Sequence, residues 1–321
     1  MKLSFFNLDD LEKEIIKKNF NNSNLCFFDN SINKTDISEF YDSEIICICP
    51  KSNVNKEIMD KCQKLKCIVT RSTGVDHIDT KFCEEKNIEI KNTVKYGGIT
   101  VAEYQFGLML SLTRKINKAY QRVKNKSFSK NHLQGIDLYG KTIGVIGCGN
   151  IGKNVIRIAN GFGMNVLVYT RTIDKELEKK MNFKYVSLDE IYFNSDIISL
   201  NVPSTDETHY LIDKKAFDKM KNSAILINTS RGKVVNSGDL INAIENKKIA
   251  GAALDVIEGE KFLKGDFLDI NNNEKESVVE NLEKLSNFEN VIITPHIAYN
   301  TKEAVDRILE ETIENIKEYI G

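Results

Sequence analysis

The chain has 321 residues, of which 41% are hydrophobic and 28% charged, and its formal net charge is -1. This length is typical of about two domains of roughly 100 to 200 residues each, an arrangement that leaves a cleft for a ligand. Because the charge is nearly balanced, it provides no long-range attraction to nucleic acid or to anionic membranes, and we expect a small-molecule partner.

At the amino terminus, the run MKLSFFNLDDLEKE turns acidic before the continuous apolar segment of an export signal forms. No apolar stretch approaches the roughly 20 residues of a membrane helix. The seven cysteines are scattered, and the C-x-C of Cys47 and Cys49 is poor spacing for zinc. We therefore expect reduced thiols, no bound metal and a cytoplasmic location.

The amino-terminal third alternates short β-rich runs with charged, helix-compatible segments. The β-rich runs lie at residues 2–6, 44–49, 66–70 and 88–91. Their alternation with helical segments predicts an α/β layer with parallel strands. From Ile99 to about Val123 a long apolar segment has helical spacing, and we predict one long buried helix that leads out of the first domain. Its excess apolar surface is suited to a subunit interface, so we expect a homodimer.

A second α/β series follows, with six strand candidates at residues 142–146, 165–169, 197–200, 224–228, 250–254 and 291–294. Six strands with helical spacers indicate a doubly wound parallel sheet. The last twenty residues predict an amphipathic helix with Thr301 as its N-cap, and we expect it to pack back on the first domain. The Asn-rich, charged segment around residues 264–277 predicts a surface insertion.

The first strand of this series is followed by the pattern G-x-G-x-x-G, formed by Gly147, Gly149 and Gly152. The glycines stand between a strand and a helix, and a second strand follows. In this context the first glycine permits a tight turn, the second lets the backbone approach a pyrophosphate, and the third lets the helix pack closely on the sheet. The helix then begins with Asn150 and Ile151. We expect the free backbone N–H groups of this helix N-terminus to face the phosphates. We predict a nicotinamide dinucleotide site here.

The acidic residue that usually ends the next strand and binds the ribose 2′-hydroxyl of NAD is replaced by Thr170 and Arg171. Without a carboxylate to repel a 2′-phosphate, and with a guanidinium beside it, NADPH becomes acceptable and is favoured over NADH. A hydrogen bond to a charged group contributes about 1.5 to 3 kcal/mol, which corresponds to a preference of roughly ten- to a hundred-fold. The alternative is that Arg171 is a solvated surface residue, which leaves the cofactor open between NAD and NADP.

Three strands of the second series are each followed by a residue suited to keto-acid chemistry, at the edge where a doubly wound sheet binds ligands. Arg231 can hold a carboxylate and polarise the adjacent carbonyl through its planar guanidinium. His296, which a single proline separates from its strand, can protonate the carbonyl oxygen as hydride arrives. Glu260 beside that imidazole would orient the ring and favour its protonated form. We interpret the other histidines as structural or exposed: His77, His132 and His209.

Taken singly, these signals are weak, since arginine or glutamate after a strand is most often a surface residue. Seven sequence segments, spread along the chain, carry a more specific signal: TRSTGVDHID, VAEY, GKTIGVIGCGNIGK, LNVPSTDETHYLI, INTSRGKVV, GAALDVIEGE and NVIITPHIAYNT. In this order the chain resembles the D-isomer-specific 2-hydroxyacid dehydrogenase family over nearly its whole length. Within the family it is most similar to the D-lactate dehydrogenases, including the type found in vancomycin resistance. Glu260 in DVIEGE, its spacing from Val291, and a bulky Tyr299 where the phosphoglycerate branch usually has glycine point to this branch.

The resemblance implies a role for each matching residue. Arg231 would bind the substrate, His296 would donate the proton and Glu260 would be its partner. Asp255 would meet the nicotinamide carboxamide. The remaining residues implied to line the cofactor are Val202, Pro203, Thr208, Thr229 and Ser230.

For the substrate, the residues implied to close on its carboxylate are Gly74 and Val75, through their backbone, and Tyr96. Tyr299 would narrow the pocket towards small side chains. The chain departs from the lactate branch in two places. It has Tyr96-Gly97-Gly98 where that branch commonly has Tyr-Ser-Pro, and it lacks the aspartate at position 170.

We predict an α/β fold of two Rossmann-like or flavodoxin-like domains, with doubly wound parallel sheets and an interdomain cleft. The dinucleotide-binding domain would comprise residues 99–297, and the substrate-binding domain residues 1–98 and 298–321. The predicted reaction is reduction of a small 2-keto acid, pyruvate first among them, to the D-2-hydroxy acid, here D-lactate, by hydride transfer from NAD(P)H. The D configuration is implied by the resemblance.

Two alternatives stay open. The substrate could be that of another D-2-hydroxyacid dehydrogenase, of the 2-hydroxyisocaproate or the 3-phosphoglycerate type, with Arg71 as a phosphate contact in the latter case. The chain could instead be a non-catalytic, dinucleotide-sensing scaffold, as transcriptional corepressors related to the family are.

Overall fold

The computed structural model describes residues 1–21, 23–263 and 272–321. They form two compact units: unit 1 comprises Met1–Tyr96 with Thr301–Gly321, and unit 2 comprises Gly97–Asn300. In this described part of the chain, no helix is both long and apolar enough to cross a bilayer. The insertion predicted around residues 264–277 lies outside the described residues at 264–271, and from 272 onward it forms the start of a helix.

In chain order, the strands are β1 (Lys2–Phe6), β2 (Asn24–Phe28), β3 (Ile45–Ile48), β4 (Cys67–Thr70), β5 (Glu89–Asn92), β6 (Thr142–Ile146), β7 (Asn165–Tyr169), β8 (Lys184–Tyr185), β9 (Ile197–Leu200), β10 (Ile225–Asn228), β11 (Gly251–Leu254) and β12 (Val291–Ile293). The helices are α1 (Asp10–Asn19), α2 (Lys56–Lys61), α3 (Thr80–Lys86), α4 (Gly98–Thr113), α5 (Ile116–Lys124), α6 (Asn150–Gly161), α7 (Lys175–Lys180), α8 (Leu188–Asn194), α9 (Lys214–Lys219), α10 (Ser237–Glu245), α11 (Asn272–Asn287) and α12 (Lys302–Ile320).

Unit 1 is built on a five-stranded parallel sheet in the order β2-β1-β3-β4-β5. Its central strands are apolar on both faces, which is typical of a parallel sheet covered by helices on both sides. On one face, Leu309, Ile313 and Ile316 of α12 pack in the same cluster as Leu3 and Phe5 of β1. The C-terminal helix is therefore part of the core of this unit.

Unit 2 contains a seven-stranded parallel sheet in the order β12-β11-β10-β9-β6-β7-β8. The strand order reverses between β6 and β9, which pair directly. Such a switch point leaves a crevice outside the carboxyl ends of the strands, where ligands of doubly wound sheets bind. The predicted α/β class with parallel sheets is confirmed.

The predicted single helix from Ile99 to about Val123 is wrong. The segment forms α4 and α5, which are separated at Lys115, a residue with a left-handed backbone (φ 54°). The carbonyl of Thr113, at the end of α4, accepts a hydrogen bond from the backbone N–H of Ile136 (3.0 Å), so a returning segment caps the helix here. α4 is largely buried, whereas α5 has no buried residue.

Candidate active site

Arg231, Glu260 and His296 follow three neighbouring strands of the unit 2 sheet. Arg231 follows β10, Glu260 follows β11 and His296 follows β12, and these strands pair in parallel, β10 with β11 and β11 with β12. Because parallel strands end at the same edge of a sheet, their carboxyl ends bring the three segments together. The predicted catalytic residues therefore share one edge of one sheet.

His296 and Glu260 form a hydrogen-bonded pair. The Nδ1 atom of His296 lies 2.5 Å from Oε1 of Glu260, and the two side chains are 32% and 24% exposed. An ionised carboxylate only accepts hydrogen bonds, so Nδ1 carries the proton of this contact, and Nε2 is the ring nitrogen that a ligand could meet. A short bond of this kind fixes both the tautomer and the plane of the ring.

The loop that carries His296 is held by Asp255, which is 1% exposed. Its carboxylate accepts hydrogen bonds from the Thr294 hydroxyl (2.6 Å) and from the backbone N–H groups of Ile297 (3.0 Å) and Ala298 (2.8 Å). Its carbonyl accepts from the N–H of His296 (2.8 Å). These bonds give the Asp255 carboxylate a role in holding the loop. The implied contact between Asp255 and the nicotinamide carboxamide stays a prediction.

Arg231 leaves β10 through a turn built by Asn228. The Asn228 side chain accepts from the backbone N–H and hydroxyl of Ser230 (3.0 and 2.8 Å) and donates to the carbonyl of Arg231 (3.0 Å). The Arg231 guanidinium donates to the carbonyl of Ser230 (2.8 Å). With five N–H groups, a guanidinium can keep this contact and still bind a carboxylate through a bidentate fork.

β6 leads into the glycine loop and then into α6. Gly147 has φ 98°, and a Cβ there would lie 2.4 Å from the carbonyl oxygen of Asn201. A Cβ on Gly152 would lie 2.1 Å from the carbonyl oxygen of Gly147, so glycine is required for α6 to pack this closely. At Gly149, next to the first helical residue Asn150, a Cβ would meet open space. This exposed backbone beside a helix N-terminus fits a pyrophosphate.

Thr170 and Arg171 follow β7, the second strand of the dinucleotide unit. The Arg171 guanidinium lies 2.9 Å from the carboxylate of Glu207, and the two side chains are 75% and 71% exposed. An exposed ion pair contributes only about 0 to 1 kcal/mol, so it does not fix the guanidinium in place. The sequence predictions missed Glu207, because no local motif pairs it with a residue 36 positions earlier.

A buried network that the sequence predictions also missed supports the loops after β9 and β10. Gln105 of α4 is fully buried and donates to Oδ1 of Asn201 and Oγ1 of Thr229, both at 2.8 Å. Ser199 donates to Oε1 of Gln105 (2.5 Å) and accepts from Asn201 (2.9 Å). An isolated glutamine inside the apolar run of α4 was the available signal, since a buried amide must find partners.

The remaining predicted cofactor residues lie in the loop after β9. Val202 and Pro203 directly follow Asn201. The Thr208 hydroxyl donates to the carbonyl of Pro203 (2.6 Å) and accepts from the backbone N–H of Thr205 (2.8 Å). Thr208 therefore shapes this loop through its own hydroxyl.

Of the predicted substrate residues, Gly74, Val75 and Tyr96 belong to unit 1 and Tyr299 to unit 2. Gly74 and Val75 are half-buried in the loop after β4. The carbonyl of Tyr96 accepts a hydrogen bond from Nε of Arg307 in α12 (3.2 Å). Tyr299 is 38% exposed and follows the His296 loop.

Arg71, the phosphate contact of the 3-phosphoglycerate alternative, is committed to unit 1. Its 9% exposed side chain pairs with Glu12 (2.9 Å). It also donates to the carbonyls of Phe6 (3.0 Å) and Asn7 (2.5 Å). A phosphate at this guanidinium would have to displace a nearly buried ion pair.

A switch-point glycine loop, with arginine and a histidine–carboxylate pair at the same edge of a doubly wound sheet, defines a nicotinamide-dinucleotide-dependent oxidoreductase. Residues 106–298 match the NAD binding domain of the D-isomer specific 2-hydroxyacid dehydrogenases. The chain belongs to this family.

Several relatives are similar in sequence or structure to most of this chain. The D-lactate dehydrogenase of Escherichia coli (strain K12) is 33% identical over 321 residues, 98% of this chain and 96% of that protein. The aromatic 2-oxoacid reductase of Clostridium sporogenes (strain ATCC 15579) is 38% identical over 291 residues, 89% of this chain and 85% of that protein. The crystal structure of D-lactate dehydrogenase from Aquifex aeolicus, complexed with NAD and lactic acid, superposes with a TM-score of 0.88 at 34% identity, covering 99% and 95% of the two chains.

Proposed function

We propose that this chain reduces a small 2-keto acid, pyruvate first among them, to the D-2-hydroxy acid with NADH or NADPH. The observation that carries the proposal is the hydrogen-bonded pair of His296 and Glu260 at the same sheet edge as Arg231. Reduction of a 2-keto acid needs an anchor for the carboxylate, a proton donor for the carbonyl oxygen and a group that orients this donor. These three residues supply one each.

In the proposed mechanism, the bound nicotinamide cofactor supplies the hydride. Arg231 holds the substrate carboxylate and polarises the neighbouring carbonyl. His296, as imidazolium, gives the proton on Nε2 to the carbonyl oxygen, which becomes the hydroxyl. Glu260 stabilises the imidazolium and keeps the ring in its plane through Nδ1. Since the His296 side chain is 32% exposed, solvent can return the Nε2 proton afterwards.

Tyr299 supports a small substrate side chain, because its bulk follows the loop that carries His296. The commitment of Arg71 to Glu12 disfavours a phosphorylated substrate. A second candidate class is the aromatic 2-keto acids, which is favoured by the 38% identity to the aromatic 2-oxoacid reductase. Pyruvate and phenylpyruvate therefore give the decisive comparison.

For the cofactor, we propose that NADPH is accepted alongside NADH and preferred. The support is the absence of a carboxylate at Thr170 and the exposure of Arg171, whose weak ion pair with Glu207 a 2′-phosphate can replace. Thr170→Asp should shift the ratio of kcat/KM values towards NADH. An unchanged ratio would remove the argument from the 2′-phosphate.

We infer that two copies associate through α5. Ile116, Tyr120 and Val123 are 49%, 60% and 48% exposed on this helix, which buries no residue within its own chain. Together with Leu110 and Ala119 they line an apolar groove. An amphipathic helix gains stability only by covering its apolar face, and a second copy offers the same face in return.

Steady-state assays with pyruvate, 2-ketobutyrate, 2-ketoisocaproate, phenylpyruvate and phosphohydroxypyruvate, each with NADH and NADPH, test the proposed function. We expect the highest kcat/KM for pyruvate and D-lactate as the product. A preference for phosphohydroxypyruvate would contradict the substrate assignment. No turnover with any 2-keto acid would favour the dinucleotide-sensing scaffold.

A further inference from the structure

A chain of polar groups supports the loop that follows β4 in unit 1. Nε2 of His77 lies 2.9 Å from Oγ1 of Thr70, and this oxygen lies 2.9 Å from Oγ of Ser72. Ser72 in turn donates to the carbonyl of Gly74 (2.7 Å). Thr70 is fully buried and Ser72 is 6% exposed, so these hydroxyls satisfy one another rather than water.

Counting protons fixes the direction of each bond. A hydroxyl has one proton, and Ser72 gives its proton to the carbonyl of Gly74. The contact between Thr70 and Ser72 must therefore use the proton of Thr70. Thr70 then has none left for the imidazole, so His77 donates from Nε2–H. The chain runs one way, from His77 to Gly74, and each donor is polarised by the one before it.

The carbonyl of Gly74 and the N–H of Val75 belong to one peptide unit. A trans peptide is planar, and its C=O and N–H point in opposite directions, so a bond that fixes the carbonyl also aims the N–H. Among the described residues, neither the N–H of Gly74 nor that of Val75 has an acceptor. Hydrogen bonding to the carbonyl also polarises the peptide and makes the Val75 N–H a better donor to an anion.

We propose that His77, Thr70 and Ser72 are positioning residues that aim the N–H of Val75 at the substrate carboxylate. This inference rests on the proposed function and on the role that the family resemblance implies for Gly74 and Val75, whose backbone would close on the same carboxylate as Arg231. It replaces the interpretation of His77 as a merely structural or exposed histidine. All three side chains belong to unit 1, whereas the predicted cofactor residues belong to unit 2, so the effect falls on the keto acid and not on the dinucleotide.

Two pairs of variants test the proposal in the full-length protein. Thr70→Val and His77→Leu interrupt the chain, whereas Thr70→Ser keeps the hydroxyl and His77→Gln keeps a donor near Nε2. We expect KM for pyruvate to rise roughly tenfold in the first member of each pair and to stay near wild type in the second. In all four, kcat and the Kd for NADH should stay within about threefold of wild type.

Ser43→Ala is the matched control, because it removes a buried hydroxyl bond (Ser4 to Ser43, 2.7 Å) elsewhere in unit 1. It should lower the melting temperature without raising KM for pyruvate. Equal KM values in Thr70→Val, Thr70→Ser and wild type would overturn the proposal.

A measurement on the wild-type protein tests the bond direction without any variant. Nitrogen-15 NMR of the His77 imidazole should show a proton on Nε2. A bare Nε2 would overturn the proposal even if the variants fail to fold. Absence of turnover by wild type would instead contradict the proposed function, while the NMR result would still decide whether the chain runs as inferred.

Discussion

His296 has a left-handed backbone (φ 54°), a conformation that costs a non-glycine residue about 1 to 3 kcal/mol. His296 is held in this conformation because residues before and after it, Thr294, Ile297 and Ala298, donate hydrogen bonds to Asp255. Strain of this kind persists where the surroundings over-determine it, which is common at functional sites. The sequence indicated His296 from its strand and proline. It did not show that Asp255 holds this loop, because an aspartate after a strand has the same sequence pattern whether or not its carboxylate binds the neighbouring backbone.

Asp255→Asn tests this assignment. Asparagine would point an NH2 group at a backbone N–H of Ile297 or Ala298, which leaves buried donors without an acceptor. We expect the free energy of unfolding to fall by about 1 to 3 kcal/mol and kcat to fall with it, while the Kd for NADH changes little. Asp213→Asn, at the N-cap of α9, is the control: asparagine caps a helix about as well as aspartate, so neither stability nor kcat should change appreciably. A large rise in the Kd for NADH at an unchanged melting temperature would contradict this role and support the contact with the nicotinamide carboxamide that the resemblance implies.

At the scale of elements, central strands were predictable because they are short, continuous apolar runs; β6 and β7 match their predicted bounds. β2 and β8 were missed, since they are sheet-edge strands without a fully buried run. The break between α4 and α5 depends on a bond from Ile136 to Thr113, a long-range contact that no local pattern encodes. The proposed catalytic residues could be predicted because each follows a strand of the second sheet, whereas Gln105 and Glu207 act through partners distant in the chain.

Gln105→Met removes the amide that joins α4 to the loops after β9 and β10. Asn201 and Ser199 would each lose a buried hydrogen-bond partner, and we expect each loss to lower the free energy of unfolding by about 1 to 3 kcal/mol. As the loops shift, the Kd for NADH should rise roughly tenfold. Leu108→Met is the control, because it also places a methionine at a buried position of the same helix. It should lower the free energy of unfolding by less than about 1.5 kcal/mol. Fluorescence titration with NADH measures both variants, and equal Kd values would contradict a positioning role for Gln105.

For the whole molecule, the last twenty residues were predicted as a helix that returns to the first domain, and α12 packs in the core of unit 1 with Thr301 as its N-cap. Its apolar spacing made the helix predictable. Its site on the sheet depends on Leu3 and Phe5 of β1, roughly 300 residues earlier in the chain.

Tyr120→Glu tests the assembly of the whole molecule. A carboxylate on the apolar face of α5 would be desolvated in a dimer, so we expect sedimentation velocity to show a monomer where wild type gives a dimer. Leu11→Glu changes an exposed apolar residue of unit 1 (71% exposed, against 60% for Tyr120) and should leave the dimer intact. A dimeric Tyr120→Glu protein would place the interface elsewhere.

The central claim is that His296 and Glu260 act as one proton-donating unit, and a double-mutant cycle on kcat/KM for pyruvate reduction tests it most directly. We expect His296→Gln to lower kcat/KM by about 10² to 10⁴, and the double variant His296→Gln, Glu260→Gln to be no worse than His296→Gln alone. Losses that multiply in the double variant, or a His296→Gln enzyme within about fivefold of wild type, would contradict the claim.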